Sequence, residues 1–559
     1  MSASVKATGF RARPYDYAEA RRIADELELA DPVAIALVRR GHRTVAAARD
    51  FLAAADAHDP GLFEGIDDAV RRIRAAIEAG VRVTVHGDYD VDGICSTAIM
   101  VAALRRAGAD ADWLIPDRLS DGYGLSDSSL ETLRERGAGL VVTVDCGIAS
   151  PGQIAAIEAA GIGAVVTDHH QPGEQLPACP IVHPQVSGYP FAMLCGAAVA
   201  AKLAQALERS LGEREAPIRD LDLVALATVA DLVPLVGENR SLVRRGLAEI
   251  RRAPRAGLRA LIEAARVDPE HVDEGDIAFR LGPRLNAAGR LYRADAGVEL
   301  MLTDDPARAA TIAGELDAAN HERRETERRV AAEAESGAPR YTPDDLRAAP
   351  AIVVAGEGWH PGVVGIVASR LVDRHEVPAI VLAIDGDGRA KGSGRSVEGF
   401  DLLAGLDACA AHLDRYGGHR AAAGVELAAE RIEDFRAALI AHAAAVRPSS
   451  EPPEADLVDA FVGAESLGLD VADGWRWRRS GRATRASSCS SPEPGSGTSG
   501  RWGRRAVMPD STSTPARSRP AASLSTPTAR SRPHSASRTT SPSASRSTTG
   551  TARSSRARS

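Results

Sequence analysis

Within seven residues, His86-Gly-Asp88-Tyr-Asp90-Val-Asp92, stand one imidazole and three carboxylates. Like charges this close repel unless something positive lies between them. Hard divalent cations such as Mg²⁺ or Mn²⁺ take carboxylate oxygens, and Mn²⁺ tolerates imidazole best. An isolated Asp-x-Asp is better read as an Asp-Gly turn with one carboxylate capping a helix. The same residue types recur downstream, however, as Asp145-Cys-Gly, Asp168-His169-His170 and Asp231. Two divalent ions about 4 Å apart need a bridging carboxylate and several terminal ligands, and such pairs serve in-line attack of water on phosphorus. Asp145, alone at its position, is the natural bridge. Beside it, Asp90, His169 and His170 are the candidates for catalysis, and His170 could orient a ligand, transfer a proton or contact a phosphate.

The elements that must position these groups follow from the apolar pattern. Val81 to Val85 alternates as a buried strand and leads into the acidic loop, with a helix from about Ile94 to Arg106. Leu140 to Val144 is a strand ending on Asp145, and Ala164 to Thr167 is a strand ending on Asp168. Leu221 to Ala230 is a helix-like apolar run that delivers Asp231. Strands separated by helix-length segments, each ending in ligand-type residues, predict an α/β fold with a parallel sheet and a site at its carboxyl edge.

Further along, Arg280, Arg284 and Arg290 surround a Gly-Pro break, and guanidinium forks pair bidentately with phosphate oxygens. Thr311 to Ala334 reads as a long charged helix. A second α/β unit begins with a strand at Ala351 to Ala355. It carries glycine-rich loops bearing Ser393, Arg395, Ser396, His419 and Arg420, suited to presenting amides and cations to a phosphate.

A chain of 559 residues with 44% hydrophobic content can build two to four cores. It contains no apolar stretch of membrane-spanning length, and the N-terminus lacks the apolar segment of a signal peptide, so the cytoplasm is the expected compartment. Its six cysteines form no Cys-x-x-Cys pair, against a thiolate zinc site or a disulfide framework. The net charge of −8 hides an asymmetry: from Gly474 onward there are 17 Arg, no Lys and only Glu493 and Asp510 as acids. That tail is too poor in apolar residues to offset the entropy of ordering, and predicts disorder.

The four motifs in order, His86 to Gly93, Val144-Asp145-Cys-Gly, Asp168-His169-His170 and Ala230-Asp231-Leu-Val-Pro-Leu, resemble those of the DHH phosphoesterase superfamily. The Arg280 to Arg290 segment and Tyr416-Gly-Gly-His419-Arg-Ala-Ala-Ala-Gly are similar to the RecJ family of single-strand-specific 5′→3′ exonucleases. The resemblance implies an enzyme of two lobes with two Mn²⁺ or Mg²⁺ ions, acting on single-stranded DNA in repair and recombination. A single-strand-binding protein and a RecQ-type helicase are its implied partners, with no membrane. Carried over by motif, His86, Asp90 and Asp145 would hold one ion, and Asp92, Asp145, His169 and Asp231 the other. Asp88 is a further metal ligand candidate, and Asp168 would act from behind the ligands. Arg280, Ser393, Arg395 and His419 match positions expected to hold DNA phosphates, with Arg284, Asn286, Arg290 and Ser396 beside them. Two other readings stay within the superfamily with a different activity. One is a phosphodiesterase for short oligonucleotides or cyclic dinucleotides, and the other a single-strand DNA-binding protein impaired in catalysis.

The expected organisation is an N-terminal helical region (1–60), a DHH domain (61–310), a connecting helix (311–345), a DHH-associated domain (346–446), the start of a truncated OB-like region (447–473) and a disordered tail (474–559). The abrupt change at Asp473 reads either as a reading-frame shift in a GC-rich gene or as a basic arm for nucleic acid. Translating the other frames of the gene distinguishes the two.

Overall fold

The computed structural model describes residues 11–12, 14–116, 124–253, 255–291, 295–336, 349–446 and 457–459. Among them, no helix is long and apolar enough to cross a membrane. The expected tail from 474, and nearly all of the OB-like region, lie outside the described residues.

Three short helices open the chain: α1 (Tyr17–Leu27), α2 (Asp31–Arg39) and α3 (Val45–Ala53). Asp16 and Thr44 cap the first and third, accepting amides that have no partner inside a helix. A bidentate ion pair from Arg40 to Asp459, at 2.8 Å, ties this unit to the described end of the chain.

The first lobe is built on β1 (Arg82–His86), β2 (Ala111–Leu114), β3 (Ala138–Val144), β4 (Gly163–Thr167) and β5 (Ile181–Val182). They pair in the order β2-β1-β3-β4-β5, all parallel. Both faces are covered, which is why the central strands β3 and β4 carry the unbroken apolar runs Leu140-Val-Val and Ala164-Val-Val. Leu140, Val142 and Val144 point into one core, and Val141 points into the other with Ala164 and Val166. The first core is closed by α4 (Ile66–Glu78), α5 (Val91–Arg106), α8 (Gly196–Ser210), α9 (Leu221–Ala230) and α10 (Gly237–Arg252). The second is closed by α6 (Asp127–Glu135) and α7 (Pro151–Ala159).

The segment expected to break at Gly282-Pro283 does not break. A π-helical turn at Ile277–Leu281 runs straight into α11 (Gly282–Leu291). Pro283 has no amide to donate, and the helix passes it through the widened π turn, in which Gly282 N reaches back five residues to the Ile277 carbonyl.

Helix α12 (Pro306–Glu335) is 30 residues long, about 45 Å at 1.5 Å per residue. Its first half buries Ala309, Ile312, Ala313 and Leu316 in the first lobe; its last turns bury Val330, Ala331 and Ala334 in the second. Trp359 Nε1 donates to Glu333 Oε2 at 2.6 Å and fastens the second lobe to it.

The second lobe is a five-stranded sheet of β6 (Ile352–Glu357), β7 (Ala379–Ile384), β8 (Arg389–Arg395), β9 (Arg415–Gly418) and β10 (Ala422–Ala428), ordered β9-β10-β8-β7-β6. Only β6 and β7 run parallel. Helices α13 (Pro361–His375) and α14 (Ile432–Val446) cover it. The stretches expected as glycine-rich loops at Lys391 and Tyr416 are strands. In the first of them the glycines serve close packing: a methyl on Gly392 would meet Leu382 Cδ2 at 2.5 Å, and one on Gly394 would meet Leu402 Cδ2 at 2.9 Å.

Candidate metal centre

The acidic groups collect at the carboxyl edge of the first sheet. Asp88 and Asp90 lie in the loop after β1, and Asp90 caps α5 by accepting from Gly93 N at 3.0 Å. Asp92 sits in the first turn of that helix, buried. Its two oxygens accept from the amides of Gly196 and Ala197, each at 2.7 Å, so the N-terminus of α8 meets the carboxylate with two N–H groups and a favourable dipole. The helix is anchored further along by a buried ion pair, Lys202 Nζ to Glu238 Oε1 at 2.6 Å, whose other carboxylate oxygen takes Tyr189 Oη at 2.9 Å. Asp145 follows β3 with φ of 60°, a left-handed conformation that non-glycine residues seldom adopt and that concentrates at functional sites. Leu232, directly after Asp231, is also left-handed at 63°.

Two groups of ligand atoms form, the atoms within each lying inside 4.8 Å of one another: Asp88 with Asp90 and Asp145, and Asp92 with His169 and Asp231. A third, Asp145 with His169 and His170, links them through Asp145. His169 Nε2 stands 3.2 Å from Asp145 Oδ1, 3.6 Å from Asp92 Oδ2 and 3.7 Å from Asp231 Oδ2. Burial holds this imidazole below its ordinary pKa, and its Nε2 is buried without a hydrogen-bond partner, aimed among carboxylates. Burial, then mutual repulsion with Asp92 and Asp90, pushes Asp145 and Asp231 well above the carboxylate range. Asp90 is raised by burial and by Asp92. Oxygen donors, a neutral imidazole and this degree of unrelieved repulsion fit a pair of hard divalent cations.

Asp168 faces inward. Its oxygens accept from the amides of Ile148 (3.0 Å), His169 (2.7 Å) and His170 (3.1 Å), and from His170 Nδ1 at 2.8 Å. Burial works against the ionised form, but these hydrogen bonds outweigh it and leave the carboxyl below its ordinary pKa. For His170, burial favours the neutral ring, yet Asp168 and the nearby Asp231 and Asp92 raise it to about 9.

His86 is not brought to the cluster. It ends β1 on the same face as Thr84, since alternate strand residues share a face. Its Nε2 lies 3.2 Å from Ser129 Oγ on α6, and its Nδ1 lies 3.6 Å from Cys146 Sγ. Asp88 occupies the place expected for it, beside Asp90 and Asp145.

The expected phosphate contacts divide. Arg284 is half buried in an ion pair with Asp317 at 2.9 Å and donates to the Arg280 carbonyl at 2.6 Å. Arg280 holds Asp276 and the carbonyls of Ala265 and Arg266. Ser396 Oγ donates to Phe400 O at 2.8 Å. Asn286 Oδ1 accepts from Val91 N at 3.0 Å. These four are used inside the protein, and the Arg290 side chain lies outside the described residues. Ser393 and Arg395 on β8 come together at the start of α13, where a methyl on Gly365 would meet Ser393 Oγ at 3.3 Å and an Arg395 nitrogen at 3.2 Å. His419 is exposed at the tip of the β9–β10 hairpin.

Two contributors carry no motif signal. His183 is fully buried after β5, and its Nε2–H donates to the His170 carbonyl at 2.7 Å while its Nδ1 accepts from Gln185 N. Gly196 matters through its missing side chain. A histidine directly after the short apolar run Ile181-Val182 is the one sequence hint of the former.

A parallel sheet gathering an all-carboxylate group and a carboxylate-histidine group at one edge, followed by a second lobe on a long helix, defines the DHH class of phosphoesterases. The family model "DHH family, N-terminal domain" matches residues 82–228, and "DHHA1 domain" matches 348–445. The chain belongs to the RecJ family of single-stranded-DNA-specific exonucleases: it is 42% identical to that protein of Dickeya dadantii over 397 residues, 68% of this chain and 69% of the relative. With the Bacillus subtilis RecJ it shares 43% identity over 430 residues, 76% of this chain, and spans about half (54%) of that protein. The crystal structure of Thermus thermophilus RecJ in complex with Mn²⁺ superposes with a TM-score of 0.72 at 32% identity, covering 84% of this chain and 68% of that one. Its complex with Mg²⁺ gives 0.65.

Proposed function

We propose that this chain hydrolyses single-stranded DNA from the 5′ end to 5′-mononucleotides, using two divalent ions, Mn²⁺ or Mg²⁺. The observation that carries this reading is the position of Asp145 between the two ligand groups. In this reading Asp88, Asp90 and Asp145 hold one ion, and Asp92, Asp145, His169 and Asp231 the other. When bound, the ions supply an activated water and offset charge on the scissile phosphate. The chain's own part is preorganisation: the α8 amides orient Asp92, and the left-handed backbone aims Asp145 at both groups. Asp168 accepts from His170 Nδ1 and favours the charged form of the ring, which leaves Nε2–H to be offered to a phosphate or leaving oxygen.

Support for the substrate comes from the relatives, which are named for single-stranded DNA, and from Ser393 and Arg395 lying together against Gly365 of α13. With His419 they are the candidates for backbone phosphates. The setting this implies is cytoplasmic repair and recombination, beside a single-strand-binding protein and a RecQ-type helicase. The test is Mn²⁺-dependent digestion of 5′-labelled and 3′-labelled single strands beside the same strand in a blunt duplex. Early release of labelled mononucleotide from the 5′ end of the single strand alone is the expected result. Cleavage confined to dinucleotides or cyclic dinucleotides would overturn the substrate assignment.

A further inference from the structure

Asn286 stands in an arginine-rich stretch expected to meet phosphates, yet its side chain is turned the other way. Helix α11 packs beneath the metal loop. A methyl on Gly282 would come within 3.6 Å of Ala230 Cβ and 3.8 Å of Val91 Cγ2, so the helix touches the residue before Asp231 and the residue between Asp90 and Asp92. From this helix Asn286 Oδ1 accepts the hydrogen bond of Val91 N at 3.0 Å.

Val91 is the first residue of α5, and its amide is among those with no partner inside the helix. The Asp90 side chain satisfies Gly93 instead. The orientation of the Val91 peptide sets the direction in which Asp90, on one side, and Asp92, on the other, leave the backbone. Two residues before Asn286, the Arg284 pair with Asp317 fixes α11 against α12, so the acceptor is held on a rigid support. An amide oxygen suits this position: it accepts as a carboxylate would but adds no charge to a cluster already crowded with carboxylates.

We propose that Asn286 is a positioning residue for the metal centre, holding the Asp90–Val91–Asp92 backbone in the geometry that binds divalent ions, and not a contact to DNA. The inference rests on the two-ion reading above. Outer partners that orient metal ligands typically change metal affinity by about 10- to 100-fold when removed.

The test is Mn²⁺ titration of the metal-stripped full chain by calorimetry, for the parent, Asn286→Leu and Asn286→Asp, with affinity for an oligothymidylate measured separately in EDTA. Leucine fills a similar volume without an acceptor; aspartate keeps the acceptor. Expected is Mn²⁺ binding weakened about tenfold or more in Asn286→Leu, parental or tighter in Asn286→Asp, and unchanged oligothymidylate affinity in Asn286→Leu. If Asn286→Leu does not fold, Asn286→Ala makes the same comparison. Parental Mn²⁺ affinity in Asn286→Leu, or equal weakening in Asn286→Asp, overturns the inference. A parent chain that binds no Mn²⁺ at all would instead overturn the metal reading beneath it.

Discussion

The amide of Gly196 donates to Asp92 Oδ2 at 2.7 Å, and the space beside its Cα is filled by Asp145: a methyl group there would stand 2.5 Å from Asp145 Oδ1 and 2.7 Å from its Cβ. One residue without a side chain therefore lets two carboxylates of the cluster, one from the first turn of α5 and one from the end of β3, approach the same helix terminus.

Gly196→Ala is expected to displace Asp145, Asp92 or both. Misplacement by about 1 Å costs on the order of 100-fold in rate, whereas overpacking costs about 1–3 kcal/mol in stability. Nuclease rate and thermal midpoint, measured together, should show a large loss of the first with a modest loss of the second. Parental activity in a folded Gly196→Ala would contradict the geometry.

Arg284 is predicted to act on stability, not on DNA. Losing one partner of its pair with Asp317 leaves the other without its main bond, at about 1–3 kcal/mol. Denaturant unfolding of Arg284→Leu, Asp317→Leu and the double variant should give a coupling of at least about 0.5 kcal/mol. The KM for single-stranded DNA should stay within about threefold of the parent, far below the tenfold that 1.4 kcal/mol represents. A raised KM with unchanged stability would restore Arg284 to the phosphate contacts.

His42 provides a pH dependence remote from the metal centre. Burial, then Arg240 and Arg40, hold its imidazole below the ordinary 6.5, and the ring stacks on Phe51 at 4.1 Å. The unfolded chain takes up a proton near 6.5 before the folded one does, so this group stabilises the fold above that pH. The contribution is lost as pH falls through the depressed folded value. Thermal midpoints between pH 7.5 and 5.5 should fall more steeply for the parent than for His42→Phe, which keeps the stacking. Parallel curves would remove the His42 contribution.

The fold was readable where local pattern decides it. β3 and β4 announce themselves as apolar runs ending on aspartate, and α9 delivers Asp231 as its spacing implies. Strands β6 and β7 of the second lobe were readable as apolar runs, but β8 was hidden because Gly392 and Gly394 look like turn residues. Their reason for being glycine lies in Leu382, on the neighbouring strand β7, and Leu402, which opens the short helix Leu402–Ala408. At the site, residue types gathered the carboxylates but not their directions. His86 and Asp88 are two positions apart, and where β1 stops decides which one reaches Asp145. Arg284 and Asn286 read as phosphate ligands because an arginine-rich stretch looks alike whether its partners are DNA or Asp317 and Val91. Those partners lie 33 and 195 residues away, beyond any local signal.

The central claim is that Asp145 serves two ions at once. Counting Mn²⁺ bound per chain by equilibrium dialysis and metal analysis, for the parent and Asp145→Asn, tests it most directly. Asparagine also tolerates the left-handed backbone, so the substitution changes charge while sparing the turn. Two ions per parent chain are expected, and in Asp145→Asn loss of at least one together with loss of single-strand digestion. A parent that binds fewer than two, or an Asp145→Asn chain that keeps both ions and still digests DNA, would contradict it.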